Sequence, residues 1–91
     1  MAVEVRIPTI LRSYTGDQKS VPAEGGTLAA VIDDLEERYS GLKGRLVEGS
    51  DLRRFVNVYV NDEDVRFLGA LDAKLADGDV VAILPAVAGG S

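Results

Sequence analysis

The chain has no cysteine, no histidine and no tryptophan. Without thiols there is no disulfide framework and no sulfur nucleophile, and without imidazole there is no histidine base and no zinc site of the Cys/His kind. Positive charge is also scarce. Ten Lys and Arg face fifteen Asp and Glu, a net charge of −5. Nucleic acid and anionic membranes are therefore poor partners, because binding to them is driven by neutralising phosphate charge. Long apolar runs are missing as well: the longest stretch free of charged residues, 80–91, falls well short of the ~20 residues a membrane-spanning helix needs. The start of the chain alternates apolar with charged residues and lacks the apolar core of a signal peptide, which predicts a cytoplasmic protein.

The remaining polar clusters offer little chemistry. Gly25-Gly26 has no following Lys-Ser/Thr and is no phosphate loop. Asp33, Asp34, Glu36 and Glu37 read as a solvated helix face, since adjacent helical positions do not converge on one metal. Asp62, Glu63 and Asp64 lack the Gly and distal Glu of a calcium loop. No metal site is expected. Ninety-one residues make one modest domain with little room for an enclosed cleft, so the protein is not expected to be an enzyme.

The patterned segments predict an α+β domain. Val3, Val5 and Ile7 alternate with Glu4 and Arg6, the period of a strand with one wet face. Pro8 ends that strand, 12–17 (RSYTGD) reads as a turn, and 18–23 (QKSVPA) returns as a second strand kept to an edge by Pro22. Thr27 is a good N-cap for a helix whose apolar stripe is Leu28, Val31, Ile32, Leu35 and Tyr39, ended by Ser40-Gly41. Residues 42–47 suggest a short helical turn, and 48–51 (EGSD) a loop. In 55–60 (FVNVYV) the three Val face one way, with Phe55, Asn57 and Tyr59 opposite. After a polar turn at 61–64, brief pairing is expected at 65–68, and Leu71 with Leu75 suggests a helical turn. Asp77-Gly78-Asp79 marks a tight turn before the apolar run 80–84, which Pro85 closes. A hairpin, one main helix and later strands make a mixed sheet with the helix packed across it.

The last six residues, Ala86, Val87, Ala88, Gly89, Gly90 and Ser91, carry no large or ionisable side chain. Extended, they reach about 20 Å. Gly89-Gly90 has no Cβ and can pass through a channel too narrow for other residues. This divides the chain into a domain, 1–85, and a flexible C-terminal tail, 86–91, that lets a partner reach a terminal carboxylate while the folded body stays outside.

A pattern of this length ending in Gly-Gly resembles the ubiquitin-like sulfur carriers of the ThiS/MoaD group. The segments 7–21 (IPTILRSYTGDQKSV), 54–67 (RFVNVYVNDEDVRF) and 77–90 (DGDVVAILPAVAGG) are most similar to the actinobacterial branch that serves cysteine biosynthesis. The resemblance spans nearly the whole chain and implies a β-grasp (ubiquitin-like) fold with a Gly-Gly tail. It also implies a chemistry. An activating adenylyltransferase/sulfurtransferase uses ATP and Mg²⁺, none of it bound by the carrier, to adenylate the Gly90 carboxylate, and sulfur transfer then gives a thiocarboxylate. In the cysteine branch that sulfur attacks an aminoacrylate made from O-phosphoserine by a PLP-dependent cysteine synthase. A JAMM-type zinc peptidase then releases cysteine and the carrier. Gly90 carries the sulfur, while Ala86, Val87, Ala88 and Gly89 form the threading arm.

Ser91 departs from that pattern, because activation needs Gly90 to be terminal. Either Ser91 is a cleaved extension, trimmed first by a JAMM-type peptidase, or it is an expression remnant, or the chain is not charged as such. Trimming is favoured. Phe55 and Tyr59 on the outer side of their strand, with Pro85 at the root of the tail, are the expected partner-docking surface. Three alternatives stay open: a ubiquitin-like modifier conjugated through Gly90, a carrier serving molybdopterin, thiazole or secondary-metabolite synthesis, and a non-covalent β-grasp module.

Overall fold

The computed structural model describes residues 2–54 and 56–85. Two strands, β1 (Ala2–Arg6) and β2 (Ser20–Glu24), form an antiparallel hairpin, with Val5 opposite Val21. The helix α1 (Leu28–Arg38) follows, then the single-turn α2 (Leu42–Leu46). A small hairpin, β3 (Val47–Glu48) and β4 (Asp51–Leu52), stands apart from the main sheet. The strands β5 (Val56–Val60), β6 (Glu63–Asp64) and β7 (Val80–Pro85) complete a five-stranded sheet in the order β2-β1-β7-β5-β6. The last strand, β7, lies in its centre, parallel to β1 and antiparallel to β5. This is the β-grasp arrangement.

Period and burial agree where the sequence pattern is strong. Val3, Val5, Val56, Val58, Val60, Val81 and Ile83 all point to one face and are buried, and Leu28, Val31, Ile32 and Leu35 of α1 cover them. Burying those four helical side chains is worth roughly 6–12 kcal/mol as an upper bound. Thr27 caps α1, its Oγ1 accepting from the Ala30 N–H at 3.2 Å. Gly25 is needed where the incoming loop crosses the first turn of α1. A Cβ there would sit 2.7 Å from the Val31 nitrogen and 2.9 Å from the Ala30 carbonyl carbon.

Several connections differ from the sequence reading. The expected turn at 12–17 is a longer 3₁₀ segment, Thr9–Thr15, started by the extended Pro8 and pinned by buried Leu11 and Thr15. The Thr15 hydroxyl lies 3.0 Å from the Gln18 carbonyl and 3.2 Å from that of Arg12, which fixes the return into β2. The expected loop at 48–51 lies within the β3–β4 hairpin, in which Val47 pairs with Leu52 and Glu48 with Asp51. Asn61 and Asp62 both take positive φ (50° and 72°), making a two-residue hairpin of the primed type. Pairing with β5 therefore occurs at Glu63–Asp64, and 65–67 coil into a 3₁₀ turn instead of pairing. Leu71 belongs to another 3₁₀ turn, Ala70–Asp72. Leu75 lies beyond it, its N–H donating to the Gly26 carbonyl, so the two leucines do not share a helical turn.

Candidate functional site

Central placement of β7 decides where the tail begins. The five-pair register with β5 runs from Val60 opposite Val81 to Val56 opposite Pro85, so Pro85 is still in the sheet when the tail starts. On the outer face Arg6, Ala82 and Tyr59 lie in one row and Asn57 with Leu84 in the next. Tyr59 is half-buried there, while Leu84 and Pro85 are exposed. Of the expected site residues, Phe55, Ala86, Val87, Ala88, Gly89, Gly90 and Ser91 lie outside the described residues. Tyr59 and Pro85 are both on the sheet, three residues of register apart.

Ile10 stands beside Leu84 and Pro85, and the sequence pattern did not single it out. It is 65% exposed, projecting from the 3₁₀ segment, while the neighbouring Leu11 is buried. A strand period cannot reveal such a residue. Two grooves meet at Ile10, Leu84 and Pro85. One, about 310 Å³, runs over Leu11 and Val56 and is flanked by Arg45 and Arg53. The other, about 690 Å³, lies over Arg6, Arg12, Lys19 and Ala82, with Glu4 and Asp62 at its margin. The root of the tail is thus an apolar ridge between two largely basic grooves.

Arginines cover the outward side of β2 and the stretch of β5 that β6 leaves unpaired. On β2 the outward Glu24 N–H donates to Asp34 Oδ2 at 2.9 Å, and Arg38 Nη1 donates to the Pro22 carbonyl at 3.0 Å. Arg38 Nη2 is 3.3 Å from Asp34 Oδ2, so one ion pair of α1 covers both strand groups. On β5 Arg66 donates to the Val56 carbonyl at 3.0 Å and to Asn57 Oδ1 at 2.9 Å. Strand groups covered in this way resist strand addition.

The titrating groups serve the scaffold. Hydrogen bonds from the Gly41 and Lys43 N–H groups hold the Glu36 carboxyl below its ordinary range. Bonds from the Ala76 N–H and the Asn61 side chain do the same for Asp79. Among the described residues no group of three or more acidic side chains is placed to hold a metal ion, and no helix is long and apolar enough to cross a membrane.

Residues 5–90 match the ThiS family model. The chain belongs to the ThiS family. It is 64% identical to the sulfur carrier protein CysO of Mycobacterium tuberculosis strain H37Rv, over 99% of this chain and all of that one. It is 38% identical to small archaeal modifier protein 3 of Haloferax volcanii, again over 99% of this chain and all of the relative. The fold superimposes with a TM-score of 0.92 on a chain of the Amycolatopsis orientalis BexX/CysO complex, at 61% identity, covering 97% of this chain and 99% of that one. The CysO relative in this family is a small sulfur carrier and not an enzyme. The family match ends at Gly90, one residue before Ser91.

Proposed function

We propose that the chain carries sulfur as a thiocarboxylate on Gly90 and donates it to cysteine biosynthesis from O-phosphoserine. The observation that carries this reading is the placement of the tail's root. A central strand ends at exposed Leu84 and Pro85, and six residues without bulk or charge follow, with Gly89-Gly90 near their end. Membership of the ThiS family and 64% identity to a CysO support it.

The chemistry is confined to the chain end. A Gly90 carboxylate oxygen attacks the α-phosphate of ATP within an activating adenylyltransferase, with Mg²⁺ supplied there, and pyrophosphate leaves. A sulfur donor then attacks the acyl carbon and AMP departs, leaving the thiocarboxylate. At neutral pH that sulfur is ionised and nucleophilic, so the carrier supplies thiolate-like reactivity without a cysteine of its own. A PLP-dependent cysteine synthase is the proposed acceptor, and a JAMM-type peptidase both releases the product and removes Ser91 beforehand. The folded domain holds the arm at its root, and no Cys or His exists in the chain to intercept the activated acyl group.

The test uses the chain ending at Gly90 with an activating enzyme, ATP, Mg²⁺ and a sulfide source. Mass spectrometry is expected to show a gain equal to sulfur minus oxygen, and alkylation of the new sulfur adds the mass of one alkyl group to the charged form alone. No gain with the cognate activator overturns the proposal. A second reading, conjugation to lysines of other proteins, is favoured by the 38% identity to an archaeal protein named a modifier. It predicts higher-mass conjugates in extracts that survive thiol reagents.

A further inference from the structure

The cations of this acidic chain are gathered where the tail begins. Arg45 and Arg53 flank one groove beside Pro85, and Arg6, Arg12 and Lys19 line the other. That is five of the ten Lys and Arg in the sequence. Only Glu4 and Asp62 oppose them there, and both belong to the second groove, so the first has no carboxylate in its lining. Arg45 makes no ion pair among the described residues, and Arg53 only a long one, 3.9 Å to Glu48. The floor between the two arginines is apolar: Leu11, Val56 and Ile83, with exposed Ile10 and Leu84 at the rim.

We infer that the groove between Arg45 and Arg53 is a docking seat for an acidic loop of the activating enzyme that carries an apolar side chain at its tip. This rests on the proposed sulfur-carrier reading and adds a partner surface to it. Two features of the groove fit it to this occupant. The first is charge: on a chain of net −5 this end gathers half of the Lys and Arg, so attraction to an acidic partner also orients the encounter. The second is continuity. The groove borders Pro85, so a loop seated in it lies at the mouth through which the arm must enter, and docking and threading occur together. The carboxylates of the loop meet the guanidiniums, while its apolar tip covers Ile10, Leu11 and Leu84.

The experiment is ATP-dependent adenylation of the Gly90-ending chain at about 0.05 M and about 0.5 M salt, which bracket weak and strong screening. Arg45→Glu with Arg53→Glu is expected to raise the KM for the carrier about tenfold at low salt, with kcat unchanged and the difference shrinking at high salt. Arg53 Nε donates to the Gly44 carbonyl, so Arg45→Glu alone, with several-fold expected, guards against a folding artefact. Lys74→Glu makes the same change of charge as Arg45→Glu, at the opposite end of the sheet where Lys74 bridges Thr27. Its KM should stay within about twofold of the parent. If the arginine variants retain the parent KM and its salt dependence, or if Lys74→Glu weakens binding as much, the seat is refuted while the carrier reading stands. If the parent chain itself is never adenylated, the carrier reading falls and the seat with it.

Discussion

Replacing Arg38 and Arg66 together by Met uncovers strand groups of β2 and β5 at once, and the size of the effect can be worked out. Arg38 contributes one hydrogen bond to the Pro22 carbonyl and an i,i+4 pair with Asp34, with side chains 40% and 21% exposed. A bond from a charged donor is worth about 1.5–3 kcal/mol when buried. Half in water, with Pro22 O free to bind solvent instead, it is worth well under that, and the pair adds about 0.3–0.5 kcal/mol. Met keeps most of the aliphatic stem, so the loss at each site is about 1 kcal/mol. The two groups lie on β2 and β5, three strand spacings or about 14 Å apart at ~4.8 Å per strand, so the losses should add to about 2 kcal/mol. For a domain of this size that lowers Tm by roughly 8–16 °C. The exposed strand groups of β2 should also favour pairing between molecules, seen as faster-sedimenting species at high concentration. Calorimetry and sedimentation velocity check both. A double variant that melts within about 2 °C of the parent and stays monomeric refutes the covering role.

The remaining predictions concern single sites. Gly25→Ala should destabilise by about 1–3 kcal/mol, because its methyl meets the backbone of Ala30 and Val31 below 3.0 Å and backbone cannot swing aside; an unchanged denaturation midpoint would contradict this. Glu36 and Asp79 have folded pKa values below their ordinary 4.5 and 3.8, so their contribution to stability is complete above about pH 5 and is lost as pH falls through the folded values. Acid titration of Glu36→Gln should show a shallower loss of Tm below pH 4.5 than the parent. Gly90→Val in the Gly90-ending chain should abolish thiocarboxylate formation, read by mass, while shifting stability by less than about 0.5 kcal/mol. Normal charging of that variant would contradict the requirement for a residue without a Cβ at the reacting end.

The main elements were legible because alternation and helical spacing are imposed by burial itself. Val56, Val58 and Val60 had to share a face, and Leu28 to Leu35 had to form a stripe. The short elements were not legible. Residues 9–15 carry no period, and their 3₁₀ path is set by Pro8 at one end and by the Thr15 hydroxyl meeting chain carbonyls at the other. The same holds for Val65–Phe67, where coiling is dictated by the Asn61-Asp62 turn and by Asp64 accepting from the Arg66 N–H. The candidate site divides the same way. The tail is written in composition, but the basic grooves at its root join Arg45, Arg53 and Ile10 from three segments that only folding brings together.

A tail rooted in the central strand also determines how the body answers a pull. Tension applied through Pro85 runs along β7, across its perpendicular hydrogen bonds with antiparallel β5 and its slanted ones with parallel β1. Those bonds are loaded in shear, all together, and cannot be opened one at a time. A pull on the chain beyond Pro85 would therefore meet a stiff anchor, and the domain would stay folded under it.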